Sequence, residues 1–388
     1  MFADSTFSRT NYPADNLGHK DFKMIIFNSE YLKEYTIQVF VQMGCPLDQA
    51  KIAADCLNQA DLRGVDSHGV ARLSGYVRLW ELKRLNATPE MKIIHETPST
   101  AVLDGDLGLG LVTAPHAMKI AIEKAKIAGT GWVAVQNSNH YGIAGYHAMM
   151  ALEKDMIGIS MTNASPLVSP TFSKSRFLGT NPIAVAIPAL NQPPFVIDMA
   201  TTTVANGKLE VLQRKGLDAP LGWTQDKDGN PTTDAYSLKK GGSMLPLGGD
   251  REHGGHKGYC LGAMVDIFSA VLSGANYGPW VPPFVSFLDP PANQVGKGIG
   301  HFLGAIRIDA FRSAEEFKKD MDNWIETFRN AEPSTGQERV LIPGDPEREL
   351  TAERQKNGIP LHEQVVADLK DLATRFGLNF NETLVNKN

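Results

Sequence analysis

The stretch STAVLDGDLGLGLVTAPHAMKIAIEKA, residues 99–125, predicts a β-strand, a glycine-rich turn and then an amphipathic helix. Its glycines at 105, 108 and 110 invite comparison with the Rossmann fingerprint, which binds dinucleotides in the order G-x-G-x-x-G. Here the order is reversed to G-x-x-G-x-G, and no clear strand ending in Asp or Glu follows about twenty residues later to hold a ribose. We therefore interpret these glycines as a turn that needs small residues.

Working outward, short β-rich runs recur from Met91 to about residue 310, separated by helical or Gly/Pro/Asn-rich segments. Helical patterns dominate residues 29–87 and the C-terminal region, where the last helix is predicted near EQVVADLKDLATRFG. The sequence therefore predicts an α/β fold with a helical lobe built from both chain ends. The expected parts are a flexible leader at 1–23, an N-terminal helical part at 24–97, a central α/β domain at 98–309, and a C-terminal helical part at 310–388 that returns to the N-terminal lobe.

Composition excludes several classes of protein. The 388 residues are 42% hydrophobic and 21% charged, which is typical of a globular chain long enough for two or three lobes. A net charge of -5 provides no basic field for nucleic acid, and no apolar stretch is long enough to predict a membrane span. Three cysteines without a C-x-x-C spacing favour a reducing compartment, so we expect a cytoplasmic protein.

The segment DLRGVDSHGVARLSGYVRLWEL, residues 61–82, places His68, Arg72 and Tyr76 at steps of four. We predict a helix capped by Asp66 or Ser67, with the three side chains on one face, one turn apart. Each residue alone is explained by a solvated helix face, with the arginine ion-paired to a neighbour. Together they supply a proton donor that titrates near neutral pH, a cation that grips a carboxylate through two bonds, and a phenol that shapes the pocket. This combination suits a 2-keto or 2-hydroxy acid.

A second imidazole lies in NSNHYGIAGYHAM, residues 137–149, where His140 is predicted to end a strand and precede a helix. Ligands of α/β sheets usually bind at strand ends, which makes His140 a candidate site residue. His147 lies two turns further along an amphipathic helix, and we expect it to be structural.

The segment FVIDMATTTVANGKLE, residues 195–210, is predicted to end a hydrophobic strand at Asp198. The three threonines that follow are able to offer hydroxyl and amide groups to a phosphate or a ribose, although a plain helix cap has the same pattern. Asp198 is alternatively a carboxylate that orients an imidazole and fixes its tautomer.

The loop LGGDREHGGHKGYCLG, residues 247–262, concentrates glycines with acidic and basic side chains. Taken alone, it allows a metal site. Its Asp, Glu and His residues nevertheless lack the H-x-x-x-H spacing that fixes two ligands on one helix face. A glycine-rich backbone beside Lys257 is better suited to a phosphate-bearing cofactor.

These motifs, together with GTNPIAVAIP at 179–188 and RVLIPGDPE at 339–347, closely resemble the malate/L-lactate dehydrogenase family. The resemblance runs from about Asn28 to Gly377. It implies an NAD(P)-dependent reductase of 2-oxo or 2-imino acids, with a non-Rossmann, mixed-sheet nicotinamide-binding domain. It also implies a homodimer, a small-molecule 2-oxo or 2-hydroxy acid partner, and NAD as the cofactor, with NADP as the alternative. We expect no metal.

The resemblance also implies roles for particular residues. His68 corresponds to the proton donor, Arg72 to the anchor of the substrate carboxylate, and Tyr76 falls in the same pocket. His140 matches a second active-site histidine that has the acid/base role in some members, and Asp198 joins the catalytic group. The implied cofactor contacts are Ser165, Asp198, Met199, Ala200, Thr201, His256, Lys257, Gly344, Asp345 and Pro346.

Two other functions stay open from the residues. One is a metal-dependent hydrolase or lyase that uses the histidine-rich loop, which predicts loss of activity with a chelator. The other is a noncatalytic ligand-binding protein, which would keep Arg72 but tolerate the loss of His68. The chain also departs from shorter family members in its leader and in an extended stretch at 224–252, and the substrate itself is not named by any of these motifs.

Overall fold

The computed structural model describes residues 24–285 and 287–381, so the predicted leader at 1–23 lies outside the described residues. The strands are β1 (Met24–Phe27), β2 (Lys92–Glu96), β3 (Thr100–Gly108), β4 (Thr130–Ser138), β5 (Met156–Thr162), β6 (Ile183–Ile187), β7 (Phe195–Met199), β8 (Thr224–Gln225), β9 (Pro231–Thr232), β10 (Ser243–Met244), β11 (Ile299–Arg307) and β12 (Ile359–His362). The α-helices are α1 (Ser29–Gln42), α2 (Leu47–Leu62), α3 (Leu73–Glu81), α4 (Gly110–Ala128), α5 (Ala144–Met149), α6 (Asn206–Lys215), α7 (Gly255–Asp266), α8 (Ala314–Arg329), α9 (Asp345–Asn357) and α10 (Glu363–Phe376).

A seven-stranded mixed sheet forms the centre, in the order β2-β3-β4-β11-β5-β6-β7. Strands β3 and β4 are parallel because helix α4 connects them as a crossover, and the other neighbours pair antiparallel. The sheet confirms the predicted α/β class, and its mixed strand directions differ from the parallel sheet of a Rossmann fold.

Both ends of the described chain build one helical lobe, as predicted. Strand β1 pairs antiparallel with β12, so that Met24 lies opposite His362. Helices α1, α2, α3 and α10 bury their apolar faces in a single hydrophobic cluster with these two strands. Within it, the buried Tyr35 hydroxyl of α1 donates a hydrogen bond to the Leu369 carbonyl of α10 at 2.7 Å.

Helix α8 lies instead beside the β7 edge of the sheet. Its Trp324 ring packs edge-on against Phe195, with the ring centroids 5.3 Å apart. The Asp322 carboxylate of the same helix accepts backbone N–H bonds from Leu190, Asn191 and Gln192, at 2.9 to 3.1 Å. These contacts hold α8 against the loop between β6 and β7.

The extended stretch at 224–252 contributes a small three-stranded sheet, in the order β10-β8-β9. Its buried side chains, which include Ala235, Leu238 and Met244, pack with Leu209 of α6 in a separate hydrophobic cluster. The stretch is therefore an ordered addition beside the main sheet. Among the described residues, no helix combines the length and the apolar character that crossing a membrane requires.

Candidate active site

A cleft enclosing about 1050 Å³ of empty space, including its open mouth, lies where the helical lobe meets the sheet. Six regions of the chain line it: the segment after α2, the residues between β4 and α5, the sheet edge formed by β5 to β7 with its adjoining loops, the start of α6, the loop before β11, and the start of α9. The lining residues used below are Arg63, Ser67, His68, Arg72, His140, Ser165, Leu167, Thr180, Pro182, Asp198, Met199, Ala200, Asn206, Phe284, Val285 and Glu347. The cleft therefore contains His68, Arg72, His140 and Asp198, four of the five residues predicted to act on the substrate.

The segment that carries His68 and Arg72 is not the single capped helix that the spacing predicts. Two short 3-10 turns, Asp66–His68 and Val70–Arg72, precede α3 and meet at Gly69 in an extended conformation. Neither Asp66 nor Ser67 caps α3, whose N-cap position is Arg72, and the Arg72 side chain makes no capping hydrogen bond to the helix.

The reason for this break is the buried Asp61 of α2. Its Oδ2 accepts the Val70 N–H at 2.8 Å, and a Cβ on Gly69 would lie only 1.7 Å from its Oδ1. The Asp61 carboxylate thus occupies the space that a side chain at 69 would need, and only glycine allows this approach.

The two candidate histidines lie side by side on one wall of the cleft. The His68 and His140 rings are nearly parallel, with centroids 5.5 Å apart. The Phe284 ring also stacks on His140, with centroids 4.6 Å apart. The Arg72 guanidinium lies 6.0 Å from the centre of the Phe284 ring, and its Nε donates to the Ser67 carbonyl at 2.5 Å. One cation and two imidazoles therefore share one wall.

Tyr76 lies behind this wall and is fully buried. Its hydroxyl is 2.6 Å from His140 Nδ1, and the Gly142 N–H also donates to Nδ1, at 3.4 Å. A backbone N–H only donates, so Nδ1 acts as an acceptor, and burial raises the pKa of Tyr76 well above its usual value, which keeps the phenol proton available. This environment favours the neutral His140 tautomer with its proton on Nε2.

The surroundings of both imidazoles lower their pKa values and so favour the neutral rings. Burial, followed by the charge of Arg72, lowers the pKa of His68 to about 3. Burial, then the neighbouring His68, Arg72 and His301, lowers the pKa of His140 well below its usual value. The proton donor titrating near neutral pH that the sequence predicts is therefore not the state of the free site.

Asp198 lies within β7, one residue before its end, rather than at the end as predicted. Its Oδ2 accepts the Gly145 N–H at 2.8 Å, and a Cβ on Gly145 would approach that oxygen to 2.7 Å. This bond joins the sheet to the start of α5. Burial raises the pKa of Asp198, whereas Arg63 opposes that rise.

The cofactor residues implied near the sheet divide into two groups. Ser165, Met199 and Ala200 line the cleft, and Ser165 Oγ accepts the Phe284 N–H at 2.8 Å. Thr201 is buried, and its hydroxyl is directed to the protein, because it donates to the carbonyls of Thr180 and Asn181.

The remaining implied cofactor residues lie outside the set of described residues that line this cleft. His256 and Lys257 begin α7, where His256 Nδ1 is 3.2 Å from the Arg251 guanidinium and Lys257 is exposed. Gly344 has a left-handed backbone before α9, and Asp345 and Pro346 are the first residues of that helix. The buried Asp345 forms ion pairs with Arg329 and Arg348, whereas Glu347, two residues later, lines the cleft.

Sequence reasoning missed Phe284, which packs against both His140 and Tyr76. Its carbonyl accepts a bond from the Arg78 guanidinium at 2.5 Å, and a Cβ on Gly75 would lie 2.7 Å from the end of its ring. No local pattern signals this residue, since its partners all lie more than 140 positions earlier in the chain. Arg63 and Glu347 were also missed, although each lies inside a motif that the sequence singled out.

Within residues 24–285 and 287–381, no group of three or more His, Cys, Asp or Glu side chains is arranged to hold a metal ion. In the histidine-rich loop, His253 Nδ1 lies 2.7 Å from Asp250 Oδ1, and both side chains are exposed.

A sequence model of the family described as malate/L-lactate dehydrogenase matches residues 27–370. The malate dehydrogenase of Pyrococcus horikoshii is 44% identical over 362 residues, which is 93% of this chain and 98% of that protein. The L-sulfolactate dehydrogenase of Methanocaldococcus jannaschii is 40% identical over 358 residues, which is 92% of this chain and 99% of that protein. The crystal structure of malate dehydrogenase from Entamoeba histolytica superposes with a TM-score of 0.86 at 35% identity, and the match covers 92% of this chain and 99% of that one.

Proposed function

The chain belongs to the malate/L-lactate dehydrogenase family, and on this premise we propose that it transfers a hydride between a nicotinamide cofactor and a small 2-hydroxy or 2-oxo acid. The observation that carries this proposal is Arg72 beside His68 and His140 in one cleft. Nothing in the comparisons supports a metal-dependent hydrolase or lyase.

The cleft fits the nicotinamide end of a dinucleotide. Leu167, Pro182, Met199 and Val285 give it an apolar lining for a flat ring, whereas Ser165, Thr180 and Asn206 provide polar groups. When bound, the nicotinamide supplies or accepts the hydride. We propose NAD as the cofactor, held by the lining residues Ser165, Met199 and Ala200, and NADP is the alternative to be compared.

Arg72 is proposed to anchor the substrate carboxylate. Within the part of the chain that the structure describes, its guanidinium forms no ion pair, and its Nε is the only nitrogen with a hydrogen bond. The terminal nitrogens are thus available for a two-bond grip on a carboxylate. A bound carboxylate would also neutralise the charge that lowers the pKa of His68, so substrate binding should raise that pKa.

The two histidines are proposed to divide the work at the substrate oxygen. His140, with its proton on Nε2, donates a hydrogen bond that polarises the carbonyl, while His68 exchanges the proton with the oxygen. Tyr76 is then a positioning residue for His140, since it is buried behind the cleft and touches Nδ1. Asp198 has a similar indirect role, because it holds the start of α5, the helix that follows His140.

The direct test is oxidation of NADH and of NADPH by the full chain, followed by absorbance. Oxaloacetate and sulfopyruvate are the first substrates to test because relatives are named for malate and L-sulfolactate. Pyruvate, which lacks the second acidic group, is the comparison. We expect turnover with at least one of these acids and no effect of EDTA. Absence of turnover across a panel of 2-oxo and 2-imino acids, with cofactor binding intact, would contradict the proposal.

We further propose a cytoplasmic homodimer. The family resemblance supports a dimer, and isologous pairs are the commonest oligomers. Sedimentation at micromolar concentration should give twice the 42.3 kDa mass of one chain. A fully active species at the single-chain mass would contradict the dimer.

A further inference from the structure

A second cavity lies on the other side of the wall formed by His140 and Phe284, both of which also line the catalytic cleft. It encloses about 840 Å³ of empty space, including its open mouth. Leu79, Pro282 and Pro283 provide apolar lining, whereas Lys83, Arg84 and Lys297 bring three cations to it. None of these three cations has a part in the proposed dehydrogenase chemistry.

The positive charges here have little compensation. Lys297 lies 3.5 Å from Asp104, whereas Lys83 and Arg84 form no ion pair with any described residue. Arg84 donates to the Pro283 carbonyl at 2.9 Å, which satisfies a guanidinium hydrogen but not the charge. Burial, followed by the neighbouring charge of Arg78, lowers the pKa of Arg84, as expected where like charges crowd together without a counter-ion.

Arg78 extends this row of unpaired charge toward the catalytic cleft. Like Arg84, it donates to a carbonyl of the Pro282–Phe284 segment and lacks a carboxylate partner in the described ranges 24–285 and 287–381. Burial and then the charge of Arg72 lower its pKa. An anion placed beside this row would gain attraction from several cations at once. Because Lys83 and Lys297 are exposed, this attraction should be sensitive to salt.

We propose that the second cavity is a binding site for a small dicarboxylate, distinct from the substrate position at Arg72. Lys83, Lys297 and the remaining guanidinium nitrogens of Arg84 would receive the two carboxylates, and Leu79 and Pro283 would contact the carbon chain between them. The site goes beyond the proposed dehydrogenase function and does not require it. A bound dicarboxylate would lie against the wall that holds His140.

The test is equilibrium dialysis of the full chain with labelled malonate at low ionic strength, which counts malonate molecules bound per chain. The second-cavity variant is Lys83→Gln/Lys297→Gln. The matched control is Lys51→Gln/Lys119→Gln, which removes the same charge from two exposed lysines that line neither cavity. Arg72→Lys reports on malonate bound in the catalytic cleft.

We expect the second-cavity variant to lose one malonate site, or to weaken it at least tenfold, whereas the lysine control keeps it. The lost site should survive in Arg72→Lys and should weaken as salt is added. Equal binding by the wild type and Lys83→Gln/Lys297→Gln would overturn the proposal, as would malonate binding that only Arg72→Lys removes. Dehydrogenase activity without malonate should be unchanged in the lysine variants, so a failure of the proposed function would be seen separately in the wild type.

Discussion

Replacing Tyr76 by phenylalanine tests whether this buried phenol sets the state of His140. The substitution removes one oxygen from a fully buried ring and leaves the packing against Phe40 and Phe284 in place. It deletes the 2.6 Å contact with His140 Nδ1 and leaves only the longer Gly142 N–H bond at 3.4 Å. The tautomer of His140 would then be held by one weak donor.

The size of the effect follows from the cost of leaving a buried acceptor without its partner, which is about 1–3 kcal/mol. If that free energy is expressed fully in the transition state, kcat should fall by a factor of about 5 to 150. The KM for the oxo acid should change less, because Arg72, not Tyr76, is proposed to hold the carboxylate. Loss of a donor at Nδ1 should also raise the pKa of His140 from its lowered value.

The assay combines steady-state kinetics across pH with nitrogen NMR of the histidine rings, which distinguishes Nδ1–H from Nε2–H. Tyr35→Phe is the matched control. Tyr35 is 2% exposed in the same hydrophobic cluster, and its hydroxyl makes a bond of 2.7 Å to the Leu369 carbonyl, away from the cleft. It should lose stability similarly to Tyr76→Phe but keep its kcat and its His140 signal.

The reasoning would be refuted if Tyr76→Phe kept at least half of the wild-type kcat with an unchanged His140 tautomer. It would also fail if Tyr35→Phe lowered kcat equally, since the loss would then reflect general damage to the helical lobe.

Three further predictions follow from the site. Arg72→Lys should mainly raise the KM for the oxo acid, because lysine keeps the charge but loses the two-bond grip on the carboxylate. His68→Ala should instead lower kcat about 10²- to 10⁴-fold with cofactor binding intact. Near-normal kinetics in both variants would favour a solvated helix face. Gly69→Ala should lower both the melting temperature and kcat, measured by calorimetry and turnover, because its Cβ would collide with the Asp61 carboxylate. Burial lowers the pKa of His301 to about 3 and that of His147 to about 4, so on acidification the unfolded chain binds protons before the folded chain does. The free energy of unfolding, measured in urea, should therefore decrease as the pH drops below about 6.5, by about 2 kcal/mol per histidine at about pH 5. A flat profile would contradict this burial.

The spacing of apolar residues and the alternation of β-rich and helical segments along the sequence were sufficient to predict the fold class. Short apolar runs such as PIAVAIP and FVIDM, bounded by Pro and other turn residues, form β6 and β7, and both chain ends carry the apolar stripes that build the helical lobe. What these patterns do not encode is strand order. The insertion of β11 between β4 and β5 depends on pairing across more than 130 residues, which no local pattern reports.

The sequence singled out residues that the structure brings together in one cleft, but it did not predict their local geometry. Spacing of four identified His68, Arg72 and Tyr76, but it predicted one helix face, and the chain instead breaks at Gly69. The cause is Asp61, a buried carboxylate on the preceding helix. Helical periodicity alone cannot predict that a side chain from another helix occupies the space where a Cβ would lie.

The glycine-rich turn after β3 has a purpose that the fingerprint comparison leaves unexplained. A Cβ on Gly110 would lie 2.1 Å from the Asn139 carbonyl, so α4 begins in contact with the backbone that leads into His140. Asn139 in turn donates its side-chain amide to the carbonyls of Leu107 and Gly108, at 2.7 and 3.2 Å. Small residues in this turn thus bring it against the end of β4 and fix where His140 emerges. The reversed glycine order reflects the packing of this turn against the wall that carries His140, and this is why a glycine-rich strand-turn-helix occurs here without the geometry of a phosphate-binding loop.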